Sequence, residues 1–257
     1  MKIKLVDTHC HIHDPDFFAD KIDEVYQNCL ESEIYPIVVG TSEKSSSQAV
    51  EFANSHESSA IVGVHPHDTK LGWDNIADLA KDSSVVGIGE IGLDYFYEHS
   101  SREVQQEGLE AQLQIAIDHD LPVSFHVRDE KSARGAVWQD FWPIFDNFTG
   151  LKGVLHSFTD NQQNLDEGFK RGLLVGINGI STFTKDEAQQ KLYATVPLEK
   201  ILVETDSPYL TPVPFRGKMN EPKFVEEVAK HLATQRNVSF DDFCIITTKN
   251  ARDLYKF

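Results

Sequence analysis

Short apolar runs rich in β-branched residues alternate along the chain with longer amphipathic stretches. The runs are strand-length, and their starts lie about 21–37 residues apart, the length of one strand–helix unit. Eight strands are predicted, over Ile3–Thr8, Tyr35–Gly40, Ala60–Val64, Val85–Ile91, Pro122–Val127, Lys152–Ser157, Leu173–Ile177 and Lys200–Thr205. Helical spacing of apolar residues predicts helices between or after them. The clearest are Phe17–Glu31, Arg102–His119, Glu221–Gln235 and Asp241–Tyr255.

This alternation indicates one α/β domain over residues 1–257, a single TIM-type (β/α)8 barrel. The alternative is a doubly wound open sheet, which would place a glycine-rich phosphate turn after the first strand. The first strand runs into His9-Cys10-His11 instead. A Gly-x-Gly-x-x-Gly string at residues 87–92 lies within and at the end of the fourth strand, not between a strand and a helix. It therefore favours no dinucleotide site.

The chain is strongly acidic, with 24 Lys and Arg against 41 Asp and Glu and a net charge of −17. This charge disfavours a long grip on duplex DNA or on an anionic membrane, while leaving room for a local positive site. The three cysteines are too few for a disulfide framework and are predicted to be buried thiols. No signal peptide and no membrane-length apolar run are recognised, so a cytoplasmic protein without a membrane partner is expected.

Metal-binding side chains stand at the ends of five predicted strands. In this type of barrel the active site forms at the carboxyl ends of the strands. The six residues there are His9, His11, Glu90, His126, His156 and Asp206. Each alone has an ordinary explanation as a core histidine, a paired buried carboxylate or a cap. Together, at equivalent positions, they predict a metal site at the mouth of the barrel.

Four histidines and two carboxylates exceed the ligand set of one catalytic ion, so two divalent ions are predicted. One ion is assigned to His9, His11, Glu90 and Asp206, and the other to Glu90, His126 and His156. A hydroxide bridging the two ions would be the nucleophile. Asp206 would orient it and take its proton, which makes Asp206 and Glu90 the expected catalytic carboxylates. Histidine-rich ligation suits Zn²⁺ or Mn²⁺.

Two further carboxylates share the inward face of their strands with the candidate ligands. Asp7 comes two residues before His9, and Glu204 comes two residues before Asp206. Each is placed to accept an N–H from a ligand histidine and fix its tautomer. A structural ion pair elsewhere is the alternative.

Candidate substrate-binding groups flank the predicted site. Arg128 lies two residues beyond His126 and would clamp a phosphate oxygen, unless it is a solvated surface residue. Arg216 and Lys218 lie in a Gly- and Pro-rich loop after the last strand, where they would meet a phosphodiester backbone. His65, at the end of the third strand, would reach the substrate, or has no role.

These residues resemble the TatD family of metal-dependent deoxyribonucleases. The matching segments are Asp7–His11, Gly63–Pro66, Gly89–Tyr95, Phe125–Arg128, His156–Phe158, Glu204–Leu210 and Arg216–Pro222, in the order of the family. The resemblance implies an amidohydrolase-like barrel that hydrolyses DNA phosphodiesters, often from the 3′ end of single strands. It implies a divalent metal such as Mg²⁺ or Mn²⁺ and the six ligand positions named above.

The sequence departs from the family at two places. Met219 stands where the family usually has a basic residue, which weakens the expected grip on a nucleic-acid backbone. The stretch of residues 128–140 looks longer than usual and could reshape access to the site.

Three functions follow, of which a 3′–5′ exonuclease on single-stranded DNA is the first. The alternative is a metal-dependent amide or ester hydrolase, which includes removal of an amino acid from tRNA. Many barrels of the resembling superfamily bridge their metals through a modified lysine on strand 4, and this strand contains no lysine. That absence favours the nuclease. The third function is a metal-stabilised binding protein without catalysis. No stable protein partner is predicted.

Overall fold

A computed structural model describes residues 2–130 and 135–257 of the chain. Eight strands form one sheet in chain order. They are β1 (Leu5–Cys10), β2 (Ile34–Val39), β3 (Ser59–Val62), β4 (Val85–Asp94), β5 (Val123–Arg128), β6 (Gly153–Leu155), β7 (Leu174–Ile177) and β8 (Ile201–Val203). After β8 the chain returns beside β1 through a parallel bridge between Ser207 and Cys10. This order confirms the predicted (β/α)8 barrel class.

Helices and short 3-10 turns connect the strands. In the described part of the chain the α-helices are α1 (Pro15–Phe18), α2 (Ile22–Glu31), α3 (Glu43–Ser55), α4 (Ile76–Leu79), α5 (Arg102–Asp118), α6 (Ala136–Asp146), α7 (Gln162–Lys170), α8 (Glu187–Thr195), α9 (Val225–Gln235) and α10 (Phe240–Tyr255). None of them combines the length and the apolar character that a membrane span needs.

The predicted strands are all present, with ends that differ by a few residues. Capping residues define where helices start. Ser101, for example, accepts a hydrogen bond from the backbone N–H of Val104, and α5 starts at Arg102. The helix predicted over Phe17–Glu31 is divided by a 3-10 turn at Ala19–Lys21. The helix predicted from Glu221 begins at Val225, because Pro222 opens a 3-10 turn before it.

The chain consists of two compact units, called unit 1 (residues 1–38 with 157–257) and unit 2 (residues 39–156). That residues 1–257 form a single domain stays a prediction. The predicted burial of the free thiols is confirmed for Cys10, Cys29 and Cys244.

Unit 1 contains four strands, β1, β2, β7 and β8, which come from the two ends of the chain. Parallel pairs join Leu5 of β1 to Ile34 of β2, and Val175 of β7 to Ile201 of β8. The Oγ1 of Thr8 donates to the carbonyl of Val203, which ties β1 to β8. Helix α10 packs against both β1 and β8 and buries its apolar face there.

In unit 2 the strands β3 to β6 form a continuous parallel ladder. Helix α5 covers β4 and supplies two buried glutamines to the ends of strands. The Gln112 side chain hydrogen-bonds both the N–H and the carbonyl of Val64, after β3. Gln105 does the same for Asp94, the last residue of β4. These bonds fix the segment before His65 and the end of β4 beyond Glu90.

Candidate metal centre

The first group of candidate ligands lies in unit 1, where the chain returns from β8 to β1. The N–H of Asp206 donates to the carbonyl of His9 at 2.9 Å, and the N–H of His11 donates to the carbonyl of Ser207 at 2.9 Å. These backbone bonds bring the three side chains together. The Oδ1 of Asp206 lies 4.0 Å from the Nε2 of His9 and 3.4 Å from the Nε2 of His11.

Asp206 owes its position to an unusual backbone conformation. Its φ is +57°, in the left-handed region that aspartate tolerates better than most residues. This turn follows directly on β8 and points the carboxylate at the two histidines. One potential ligand atom from each of His9, His11 and Asp206 lies within 4.8 Å of the other two.

Asp7 accepts hydrogen bonds from one of these candidate ligands and from the residue before another. Its Oδ1 accepts from the backbone of Thr205 at 2.8 Å and from the backbone of His9 at 3.3 Å. Its Oδ2 accepts from the Oγ1 of Thr205 at 2.6 Å. Burial raises the pKa of Asp7, and the hydrogen bonds from Thr205 and His9 oppose that rise. In these bonds Asp7 holds the backbone on either side of the candidate ligands.

Glu204 has a comparable backbone role. Its Oε1 accepts from the backbone N–H of Ser157 at 2.6 Å. The carboxylate lies against Gly176 of β7, where a Cβ would collide with it. The buried carboxylate therefore anchors the start of the segment that follows His156 in the chain.

The second group of candidate ligands lies in unit 2 around Glu90. The Oε1 of Glu90 is 2.6 Å from the Nδ1 of His126, 3.7 Å from the Nε2 of His156 and 3.6 Å from the Nε2 of His65. One potential ligand atom from each of Glu90, His65 and His126 also lies within 4.8 Å of the other two. Glu90 lies on β4 and His126 on β5, and His156 follows β6.

A glycine allows β4 to approach β5 closely at this point. Gly92 pairs with His126 across the ladder and has a φ of +152°. A Cβ there would collide with the carbonyl oxygen of His126. Any other residue would push apart the two strands that carry Glu90 and His126.

Asp94 was not among the predicted site residues, yet it completes this group. Its Oδ2 lies 3.0 Å from the Nε2 of His126 and 3.0 Å from the Nε2 of His67. His126 therefore faces a carboxylate at each ring nitrogen. The signal was present in the sequence, because Asp94 is four residues after Glu90 on one strand and so shares its face.

The protonation of this group follows from its charges. Burial lowers the pKa of His126, but hydrogen bonds with Asp94 and Glu90 outweigh it and raise that pKa to about 9. Burial opposes ionisation of Glu90 and Asp94, but their histidine neighbours outweigh it and hold both carboxyl pKa values below the usual range. Burial and the neighbouring His126 lower the pKa of His65. Without metal, these shifts favour ionised carboxylates at Glu90 and Asp94 on either side of a protonated His126.

Arg128 ends β5 and is exposed. Its guanidinium lies 4.1 Å from the ring centroid of Phe96 and 5.0 Å from that of Tyr97. The stretch of residues 128–140 continues from there, and residues 131–134 within it lie outside the described residues.

Arg216 and Lys218 lie on the exposed part of the loop that follows β8. The guanidinium of Arg216 stacks 3.9 Å from the ring centroid of Phe183 and donates to the carbonyl of Thr211. Both ends of the loop are tied by buried Asn220, whose Nδ2 donates to the carbonyls of Thr205 at 3.0 Å and Tyr209 at 2.5 Å.

Both groups fit a divalent metal, because each brings imidazole nitrogens and a carboxylate into one small space. His9, His11 and Asp206 would hold an ion in unit 1. In unit 2 the compact set is His65, Glu90 and His126, and the binding of an ion by Glu90, His126 and His156 stays a prediction. The assignment of Glu90 to both ions stays a prediction.

Comparison with known proteins agrees with this reading. The sequence matches the TatD related DNase family over residues 6–256. It is 30% identical to the uncharacterized metal-dependent hydrolase YabD of Bacillus subtilis, over 98% of this chain and 99% of that protein. It is 32% identical to the 3'-5' ssDNA/RNA exonuclease TatD of Salmonella typhimurium, over 93% and 94%. The crystal structure of YjjV, a TatD homolog from Escherichia coli, superposes with a TM-score of 0.87 at 25% identity, covering all of both chains.

The match spans the segments that carry every candidate ligand, and two of these relatives are named for metal-dependent hydrolysis or nuclease activity. The chain is therefore a metal-dependent hydrolase with a (β/α)8 barrel fold, and it belongs to the TatD related DNase family.

Proposed function

We propose that this hydrolase removes nucleotides from the 3′ end of single-stranded DNA with the help of two divalent ions, Mg²⁺ or Mn²⁺. The observation that carries the proposal is the pair of ligand groups, one in each unit, each with two or more histidines and a carboxylate. A relative of 32% identity that is named a 3′–5′ exonuclease supports the choice of substrate.

The two ions would lie with the residues already named. In unit 1 the ligands are His9, His11 and Asp206, and in unit 2 they are Glu90, His126 and His156. When bound, such ions lower the pKa of water and neutralise charge on a phosphodiester. Sharing of Glu90 between the ions would make it the residue on which both depend.

Asp206 is the proposed general base. Its carboxylate is partly exposed, at 17% of the side-chain surface, so a water molecule can reach it. It orients the attacking water and accepts its proton as the water oxygen bonds to phosphorus. The bond from phosphorus to the 3′ oxygen of the shortened strand breaks, and Asp206 gives the proton to that oxygen. His65, whose Nε2 faces Glu90, would donate a hydrogen bond to a phosphate oxygen at the same site.

Cationic side chains would hold the strand. Arg128 makes no ion pair within residues 2–130 and 135–257, so its N–H groups are available to a phosphate. Arg216 and Lys218 lie on an exposed loop and would contact the backbone further along. A small number of cations is consistent with the net charge of −17, which disfavours a long grip.

The test is a time course on a short single strand labelled at its 5′ end, with Mg²⁺, with Mn²⁺ and with excess chelator. We expect a ladder that shortens one nucleotide at a time and disappears with chelator. A 3′-labelled copy should lose its label in the first step. Intact DNA with protein that contains metal would contradict the proposal and direct the search to esters and amides.

The same strand made of RNA sharpens the assignment, because the Salmonella relative is named for both nucleic acids. Equal cleavage of both strands would broaden the substrate to single-stranded nucleic acid. A cytoplasmic location and the lack of a stable protein partner remain predictions from the sequence.

A further inference from the structure

The loop that follows β4 presents aromatic rings to solvent. Tyr97 keeps 52% of its surface exposed, and His99 beside it is also exposed. The two rings are nearly parallel, with centroids 5.7 Å apart and an interplanar angle of 14°. Phe96 meets Tyr97 edge to face at 4.6 Å. Large aromatic side chains are usually buried, so an exposed set of rings beside a charged site is informative.

Arg128 extends this surface with a planar cation. Its guanidinium lies over the rings of Phe96 and Tyr97, and such cation–π contacts restrain the position of the cation. Two acids close to these residues in the chain share one cation, which neutralises part of their charge. Glu98 and Glu130 both pair with Arg102, at 2.6 Å and 2.9 Å.

The aromatic loop is fixed to the candidate metal centre by Asp94. The Oδ1 of Asp94 accepts from the backbone of Phe96 at 2.8 Å and of Tyr97 at 3.1 Å, while its Oδ2 faces His126. The ring of His67 lies between the two features, with its centroid 5.6 Å from Tyr97 and 6.5 Å from His126. The exposed rings therefore lie two ring contacts from a candidate ligand.

We propose that Tyr97 and His99 form a stacking platform for a nucleobase of the substrate strand, with Arg128 on the adjoining phosphate. A flat aromatic face accepts any base, and stacking is the usual way in which single strands are held without sequence preference. The inference rests on the proposed function in that the ligand is a single-stranded nucleic acid. It adds a base-binding subsite outside the metal ligands.

The test is binding, which is separate from hydrolysis. A labelled phosphorothioate single strand is titrated with the metal-loaded protein and followed by fluorescence anisotropy. A second strand has the same backbone but abasic residues in place of nucleotides. We expect the parent protein to bind the base-bearing strand about tenfold more tightly. Tyr97→Ala should remove that difference by weakening only the base-bearing strand.

Three further variants make the result specific. Tyr97→Phe keeps the ring and should bind as the parent does. Leu71→Ala removes another exposed apolar side chain of unit 2 and should change nothing. Tyr97→Ala should leave the salt dependence of binding unchanged, whereas Arg128→Ala should reduce its slope by about one phosphate contact. Metal content measured on each variant shows that the centre is intact.

The outcomes separate this inference from the proposed function. Equal binding of both strands by the parent, or equal loss on both strands in Tyr97→Ala, would overturn the platform even if the protein degrades DNA. A preference for bases that Tyr97→Ala abolishes would support the platform even if the parent cleaves no DNA.

Discussion

Each of the two ligand groups contacts a buried aspartate, and the two aspartates bind different parts of the chain. In unit 1 Asp7 accepts hydrogen bonds from the backbone of His9 and from the backbone and hydroxyl of Thr205. In unit 2 Asp94 faces the imidazole rings of His126 and His67. One carboxylate fixes the chain that carries the ligands, and the other fixes a ligand ring and its charge. Their removal should therefore affect different properties: stability in unit 1 and metal affinity in unit 2.

The largest effect is expected from Glu90→Ala, because Glu90 is assigned to both ions. Hydrolysis should fall by several orders of magnitude, and bound metal should fall from about two ions per chain to below one. Elemental analysis of dialysed protein measures the metal. Glu110→Ala, an exposed glutamate on α5, is the control. Retention of one tightly bound ion by Glu90→Ala would assign Glu90 to unit 2 alone.

Asp206→Asn tests the other group at nearly constant side-chain size. It removes the proposed general base, so hydrolysis should fall by about 10²–10⁴-fold. The ligands of unit 2 are untouched, so about one ion per chain should remain. Loss of both ions would show that the two groups bind metal as one.

Asp94→Asn should lower metal affinity or activity by about 10–100-fold while the protein stays folded. The amide can still meet His126 but no longer supplies a charge to orient and polarise the ring. Metal titration monitored by calorimetry measures the loss. Asp118→Asn, an exposed aspartate on α5, should behave as the parent does. An unchanged metal affinity would remove Asp94 from the centre.

Asp7→Asn should act mainly on stability. The amide oxygen can still accept from the two backbone N–H groups, but the amide nitrogen turns a donor towards the hydroxyl of Thr205, so the free energy of unfolding should fall by about 1–3 kcal/mol. Urea denaturation of metal-free protein measures it. Asp241→Asn, on the exposed surface of unit 1, should stay within about 0.5 kcal/mol of the parent. A stable Asp7→Asn with weakened metal binding would instead give Asp7 the role of Asp94.

The smallest effect is a dependence on pH that arises from His126 in unit 2. The pKa of His126 is raised to about 9, so the metal-free protein holds a proton there at pH 7. The stabilising contribution of the imidazolium is complete below pH 6.5, its ordinary pKa, and is lost as the pH rises through 9. Metal needs the neutral ring, so affinity should rise between pH 7 and 9. Calorimetry in buffers of different ionisation enthalpy should detect proton release on binding, which His126→Gln should diminish.

Local patterns in the sequence were enough to predict the eight strands in order, although β4 continues four residues past Glu90, which was expected at its end. Strand alternation put His9 and His11 on one face, and the structure brings both to Asp206. The contacts of His126 were not predictable in this way. They depend on the register that sets Gly92 opposite His126, and register is a property of two strands rather than one.

Loop contacts were equally beyond the sequence. The alternation of Arg128 with His126 predicts that the two share one face of β5. The contact of the guanidinium with Phe96 could not be predicted, because the position of Phe96 depends on the turn after β4. Arg216 stacks on Phe183, a residue distant in the chain. The break between α1 and α2 could not be predicted either, because no proline or glycine stands at Ala19, whose φ is +46°.

The two hydrogen bonds that Asn220 donates have a consequence for changes in the loop that follows β8. Its amide binds carbonyls on both sides of Asp206, so the loop is closed at its base, while Arg216 and Lys218 project from the part beyond. Insertions or exchanges in that outer part need not disturb the aspartate. Changes of length or sequence in the outer part of the loop are therefore expected to be tolerated by the backbone that positions Asp206.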